Sequence, residues 1–322
     1  MAVVPSVPAP VPSKVRRRQQ ATGAGRPKPS IASRLLRAPL YIFGLTMLVP
    51  FYWMVTAAFK PVPELTKNPP SFVPKSPTFD AFWESKYNPS VRGEEIVSGL
   101  FQRFTDVPGG FGRFMFNSLF VATTITLLSL GIAALAAYAL TKMELPGRRV
   151  IFVVVVASMM VPWQVTLIPN YLIVRNLDWL NSYQGYIIPA LAKAFVVFFL
   201  VQYMRSIPND LIHAARVDGA GEWRIWWRVV MPLMRPALAA MAIFIVLAEW
   251  NNFLWPLIIV QTDNMANLPV ALSRTNASNA FNPQHMAVIM AASLLTSLPT
   301  VIFFLAFQKH FTRGIALSGI KG

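Results

Sequence analysis

Six runs of apolar residues, near 39–59, 114–141, 150–173, 183–204, 237–260 and 285–308, alternate with polar stretches rich in Arg, Pro and Gly. Each run is long enough for the ~20 residues that a helix needs to cross a hydrocarbon core. Backbone N–H and C=O groups inside lipid must be satisfied within the segment, so the runs predict helices. The expected fold is an all-α polytopic membrane protein with six transmembrane helices. The first run is too long for a signal-peptide core and lacks a convincing cleavage site, so it counts as a helix. The chain then reads as a basic tail (1–37), a first transmembrane helix (38–59), a long loop (60–113), a membrane core (114–308) and a C-terminal tail (309–322).

The polar stretch between the fourth and fifth runs has a pattern of its own. Asn209 to Pro236 reads as two short amphipathic helices joined at Asp218-Gly219-Ala220. Pro208 and Asp210 suit a helix start, with Ser206 or Asn209 as the cap. Gly219 suits the stop, because glycine takes positive φ at little cost. Asp218 is expected to accept hydrogen bonds from the amides that open the second helix. In that helix Trp223, Trp226, Trp227 and Val230 recur at i, i+3, i+4 and i+7, with Arg224 and Arg228 on the other side. Pro232 and Pro236 are expected to end the unit. By periodicity alone this is a helix pair lying in the membrane interface, tryptophans down and arginines out.

Charge sets the orientation. With the amino terminus inside, the inside segments carry eight, three, five and three Lys or Arg. The short outside loops carry one each, Arg175 and Arg274. Loop 60–113 carries seven, offset by six acids, and long loops cross largely regardless of charge. Both termini and the 209–236 hinge are therefore expected in the cytoplasm. The formal net charge of +16 would suggest nucleic acid in a soluble protein. In a chain that is 55% hydrophobic and 13% charged, this distribution explains it better, and no nucleic acid partner is expected. The tail 1–37 has no acid and too little apolar surface to fold alone, so it is expected to be disordered beside anionic lipid. Loop 60–113 is expected to carry short helices, packed on the outer membrane face or against an external partner.

Candidate chemistry lies inside the runs. Gly147 marks a tight inside turn between the second and third. Pro162, Pro169 and Pro189 break helices, which is tolerated where the break lines a cavity. Lys193 and Glu249 are ionisable groups within apolar runs, each costing on the order of 2.5–3.5 kcal/mol at a helix centre. They face a translocation path, as a pair or separately, or else Lys193 snorkels and Glu249 is satisfied by Asn251, Asn252 or backbone. Trp250-Asn251-Asn252-Phe253-Leu254-Trp255-Pro256-Leu257 combines amides with indole faces, which suits a polar, uncharged ligand such as a sugar. The same residues would serve interhelical bonding and an interfacial tryptophan belt. There is no cysteine, no G-x-x-x-x-G-K-[ST] phosphate loop and no H-E-x-x-H, and His213, His285 and His310 show no ligand spacing. No catalytic residue, metal or cofactor is assigned to this chain.

Several motifs together resemble one family. Ala214-Ala215, Asp218-Gly219-Ala220 and Pro232-Leu233 resemble the EAA loop of ABC-importer permeases, with His213 standing where the family has Glu. Trp250 to Leu257, Val161-Pro162-Trp163-Gln164-Val165-Thr166-Leu167-Ile168-Pro169, Ser206-Ile207-Pro208 and the end from Gln308 to Gly322 resemble carbohydrate permeases of the maltose-transporter type. The likeness covers about residues 114–322. It implies a type I ABC-importer permease fold with cytoplasmic coupling helices, loop 206–236, between spans four and five. It also implies a second homologous permease, an ATPase dimer that binds ATP and Mg, an extracytoplasmic sugar-binding protein, and a bacterial or archaeal cytoplasmic membrane. By the same resemblance His213, Ala214, Ala215, Asp218, Gly219, Ala220, Trp223 and Pro232 would couple to the ATPase, and Gly319, Lys321 and Gly322 would reach its interface. Gln164, Lys193, Glu249, Trp250, Asn251 and Asn252 are candidates for the substrate path. The competing reading is a secondary transporter driven by an ion gradient, which Lys193 and Glu249 would fit.

Overall fold

The computed structural model describes residues 31–69, 71–83, 100–101, 110–279 and 283–318. The basic tail up to residue 30, most of 84–109, and Gly319, Lys321 and Gly322 lie outside the described residues. Described regular structure is helical: α1 (Ile31–Ala58), α2 (Val62–Leu65), α3 (Gly110–Lys142), α4 (Arg148–Ser158), α5 (Leu167–Asn176), α6 (Tyr183–Ile187), α7 (Ala194–Arg205), α8 (Asn209–Val217), α9 (Glu222–Ile225), α10 (Met231–Trp250), α11 (Leu254–Ile259), α12 (Leu268–Asn279) and α13 (Pro283–Ser318). The chain divides into two units, 1–52 and 53–322. In the first, α1 presents exposed apolar side chains from Leu40 to Tyr52, the surface expected of a helix in lipid.

The second unit is built around α3, which packs against α7 and α10; α10 also packs against α13. One stripe of α3 is buried: Phe114, Val121, Ile125, Ala133, Ala134 and Ala137. The three alanines remove bulk where neighbouring helices approach, as small residues do in membrane bundles. Phe116, Leu119, Leu127 and Leu128 on the other side are exposed and apolar. Helices Ala38–Ala58, Gly110–Lys142, Glu222–Trp250 and Met286–Ala306 are long and apolar enough to cross a bilayer. Tyr183–Ala190 and Ala194–Arg205, bent by 43° at Leu191–Lys193, make a fifth crossing if counted as one span.

Two spans differ from expectation. The run 150–173 is not one helix, because α4 and α5 are separated by turns at Met159–Thr166. Pro162 has no N–H and disfavours helix before it, and local bonds (Val165 N to Pro162 O, 3.0 Å; Thr166 N to Trp163 O, 3.1 Å) replace the ladder. The fifth span begins at Glu222 rather than 237, and Pro232 and Pro236 do not end the hinge. A π turn at Trp226–Val230 changes the register and leaves Pro232 in the first turn of α10, where no helical N–H is needed. The same turn splits the expected tryptophan stripe. Trp226 and Val230 are buried, while Trp223 and Trp227 are 66% and 61% exposed.

The end of the bundle away from the hinge is held by polar side chains. Buried Asn117 donates to Asn264 O (2.9 Å) and Ala266 O (2.8 Å) and accepts from the Tyr183 hydroxyl (2.7 Å). Asn181 accepts from Gln261 N and Thr262 N, each at 3.1 Å. Arg274 pairs with Asp263 at 2.7 Å. Loop residues from Lys60 fold back: Lys60 donates to Ser71 O and lies 4.3 Å from the Trp53 ring centroid, and Glu64 accepts from Ser71 Oγ (2.6 Å) and Lys75 N (2.9 Å). Phe82 packs with Ala58, Ala287 and Ala291.

Gly185 in α6 admits no side chain. A Cβ there would meet Trp179 O at 2.2 Å and Val174 Cγ1 at 2.9 Å. Gly185→Ala is expected to destabilise the protein by about 1–3 kcal/mol, the usual cost of overpacking. A thermal melt of the purified protein in detergent reads this, and an unchanged midpoint would contradict the packing.

Candidate functional site

Two regions concentrate polar chemistry. The first is the hinge. α8 begins after Pro208 with no side-chain cap, so neither Ser206 nor Asn209 serves as expected. Ser206 Oγ donates to Tyr203 O at 2.7 Å, and Asn209 Oδ1 accepts from Lys142 Nζ at 2.8 Å. The stop follows expectation, with Gly219 at φ +77°. Ala220 N bonds to Ala215 O (3.0 Å) and Gly219 N to Arg216 O (3.0 Å), the Schellman pair that closes a helix end. Asp218 is the C-cap of α8 and does not cap the second helix, whose N-cap is Gly221 with no side-chain bond. Ile212, Ile225 and Trp226 anchor the hinge in the core. Leu211, His213, Ala214, Val217, Asp218, Trp223, Trp227 and Pro232 remain exposed, while Ala215 and Ala220 are half-buried.

A chain of polar contacts ties this hinge to the end of α3. Lys142 Nζ donates to Ile207 O at 2.6 Å as well as to Asn209. Arg216 donates to Lys142 O (2.9 Å) and pairs with Glu222 Oε1 (2.8 Å). The Tyr138 hydroxyl donates to Glu222 Oε2 at 2.5 Å. The hinge is therefore bolted to a helix that is distant in sequence, as well as joined to α7 and α10. Sequence reading missed this: Lys142 counted only as a topology charge, and Glu222 went unremarked although it is an acid in a helix's first turn.

The second region lies where two broken helices face each other. Pro189 interrupts span four, leaving Lys193 extended (φ −105°, ψ 90°) before α7. α10 ends at Trp250, and Asn251 to Phe253 lead to α11. Lys193 Nζ and Glu249 Oε1 form an ion pair at 2.7 Å, with side chains 21% and 6% exposed. Asn252 Nδ2 donates to Glu249 Oε2 at 3.1 Å, so both carboxylate oxygens are used. An open cleft of about 690 Å³ lies beside the pair, lined also by Trp163, Asn170, Asn251 and Trp255. Gln164 is exposed in the 159–166 turn and does not line the cleft, although its neighbour Trp163 does. Trp250 is not placed for stacking on a ligand. It is 3% exposed and donates Nε1 to Thr296 O at 3.1 Å, which packs its ring inside the bundle. Asn170 was also missed; its signal was an amide inside an apolar run.

The family model described as binding-protein-dependent transport system inner membrane component matches residues 129–317, more than half of the chain. The chain belongs to this family. The arabinooligosaccharides transport system permease protein AraQ of Halalkalibacterium halodurans is 31% identical over 294 residues, 91% of this chain and 98% of that protein. AraQ of Bacillus subtilis is 38% identical over 210 residues, 65% of this chain and 74% of that one. A bacterial ABC transporter involved in the import of the acidic polysaccharide alginate has a chain of the same fold, with TM-score 0.74 and 24% identity over 89% of this chain and 100% of that one. The protein is thus a multi-pass permease component of an ABC importer, a transporter subunit rather than an enzyme. That membership decides against the ion-gradient reading of Lys193 and Glu249.

Proposed function

We propose that this permease moves a neutral sugar oligomer or sugar derivative inward through the cleft beside Lys193 and Glu249, driven by an ATPase docked on the 209–236 hinge. The observation that carries the substrate class is the cleft's lining: a self-neutralised ion pair, amides at Asn170, Asn251 and Asn252, and the exposed indole of Trp163. Amides pair with hydroxyl groups, and aromatic faces cover the apolar faces of a ring, while no net charge selects an anion. The full relatives named for arabinooligosaccharides support the same class. A second permease, an ATPase dimer holding ATP and Mg, and an external binding protein complete the proposed importer, with both termini on the ATPase side. Gly319, Lys321 and Gly322 are proposed to reach the ATPase as well.

The hinge supports docking by its surface. Leu211, Val217, Trp223 and Trp227 are exposed apolar side chains within this short polar hinge, and exposed apolar area among polar groups fits a protein partner. ATP-driven closure of the ATPase dimer would move the hinge, and with it α7, α10 and, through Lys142 and Glu222, α3. The pathway would then alternate between two states biased by ATP and ligand.

Asp218→Lys/Gly219→Trp tests the docking. It reverses a surface charge and forces a bulky residue into positive φ. Purified from mild detergent, wild type is expected to bring down an ATPase and a second permease, and the variant to keep the permease and lose the ATPase. Retention of both by the variant would refute the docking site.

A further inference from the structure

A second cavity, of about 400 Å³, opens at the hinge end of the bundle between the end of α3, the start of α4 and the end of α7. Three arginines line it, Arg148, Arg149 and Arg205, with Leu140, Phe152 and Val153 beneath them. The ion pairs among the described residues, Lys193–Glu249, Arg216–Glu222 and Arg274–Asp263, use none of these guanidiniums. Arg205, in the last turn of α7, lies 4.8 Å from the Phe152 ring centroid and makes a long 3.5 Å contact to Gln202 Oε1, and neither partner is a carboxylate. α4 has no acid in its first turn, so Arg148 and Arg149 add to the positive end of its own dipole. All three arginines are exposed, and three guanidiniums around one cavity with no carboxylate paired to them offer a site to an anion from outside the chain.

The surroundings say which kind. No residue of α4 is buried, and Val150, Val153 and Val154 are 67%, 62% and 61% exposed just beyond the arginines. A ligand with an anionic head in the cavity and an apolar tail along α4 would satisfy both surfaces. We infer that the Arg148–Arg149–Arg205 cavity binds the phosphate headgroup of an anionic phospholipid, whose acyl chains lie along the valine face of α4. The proposed orientation of the hinge enters only in assigning this lipid to the cytoplasmic leaflet. A lipid there would join the start of α4 to the end of α7 beside the hinge through its headgroup.

The test is native mass spectrometry of the transporter, purified with whatever subunits accompany it and titrated with phosphatidylglycerol or phosphatidylcholine. Wild type is expected to prefer phosphatidylglycerol. Arg148→Gln/Arg149→Gln/Arg205→Gln is expected to bind it roughly tenfold more weakly with phosphatidylcholine binding unchanged, since each basic group near an anionic headgroup adds to affinity. The corresponding triple Arg→Lys variant should keep the preference, which separates lost charge from misfolding. Equal phosphatidylglycerol binding by wild type and the Gln variant would overturn the inference. So would competition by inorganic phosphate at comparable concentration, which would mark a free-phosphate site. Loss of an accompanying subunit from the Gln variant would assign the arginines to a protein interface instead. Lipid preference is read without ATP or substrate, so its outcome is independent of whether the proposed transport reading holds.

Discussion

Lys193→Met is expected to abolish transport and to destabilise the protein, and adding Glu249→Gln is expected to restore stability but not transport. Glu249 is buried, with one oxygen on Lys193 and the other on Asn252. Removing the lysine leaves a buried carboxylate with Asn252 but no counter-charge, and breaking a buried pair typically costs about 3–5 kcal/mol. Lys193 retains some exposure to the cleft, so the lower end applies. The double variant removes both charges, and a neutral pair in the same place is often no less stable than the ion pair. Thermal melts in detergent and ATP-dependent uptake by reconstituted vesicles separate the two effects. Full transport by the double variant would show that the pair serves only structure.

The break pattern of these helices explains what sequence could and could not supply. The long spans and the Gly219 stop were legible because each rests on local chemistry: apolar length in one case, positive φ in the other. Lys193 and Glu249 drew notice because charge inside an apolar run is costly whatever surrounds it. Their mutual contact depends on how Pro189 and the Asn251–Phe253 break juxtapose two helices 56 positions apart, which no local pattern encodes. Trp250 was misjudged for the same reason. An indole at that spacing suits stacking or packing equally, and Thr296 on another helix decides it. Pro232 misled in the opposite direction, because a local rule was overridden by the π turn before it. The helix break at 159–166 was signalled by Pro162 but hidden by the hydropathy of the residues around it.

Glu222→Ala is the second variant with a large expected effect. It removes the charge-assisted bond from Arg216 and the bond from Tyr138, and so loosens the hinge's tie to α3, leaving only the bonds made through Lys142. Bonds to charged groups are worth about 1.5–3 kcal/mol when shielded. Glu222 and Arg216 are 40% and 33% exposed, so solvent screening brings the pair below that range. A coupling loss near 1.4 kcal/mol corresponds to roughly tenfold slower uptake. The hinge keeps its core anchors Ile212, Ile225 and Trp226, so the subunits are expected still to co-purify and ATP still to be hydrolysed. Uptake and hydrolysis measured on one preparation check this. Slowed uptake with retained hydrolysis marks the Tyr138–Glu222 tie to α3 as part of the transmission, and unchanged uptake would remove that tie from it.

The central claim is that the exposed hinge sits against an ATPase and moves with its nucleotide state. The chain contains no cysteine, so Ala214→Cys introduces its single thiol, at an exposed position of α8. Cross-linking with a short bifunctional thiol-to-amine reagent, on the purified transporter with and without ATP, reads the contact directly. The expected result is a product joining this permease to a co-purified ATPase, with a yield that changes when ATP binds. An Ala214→Cys thiol that is labelled freely by a small maleimide in both conditions, and joined to no ATPase in either, would contradict the account.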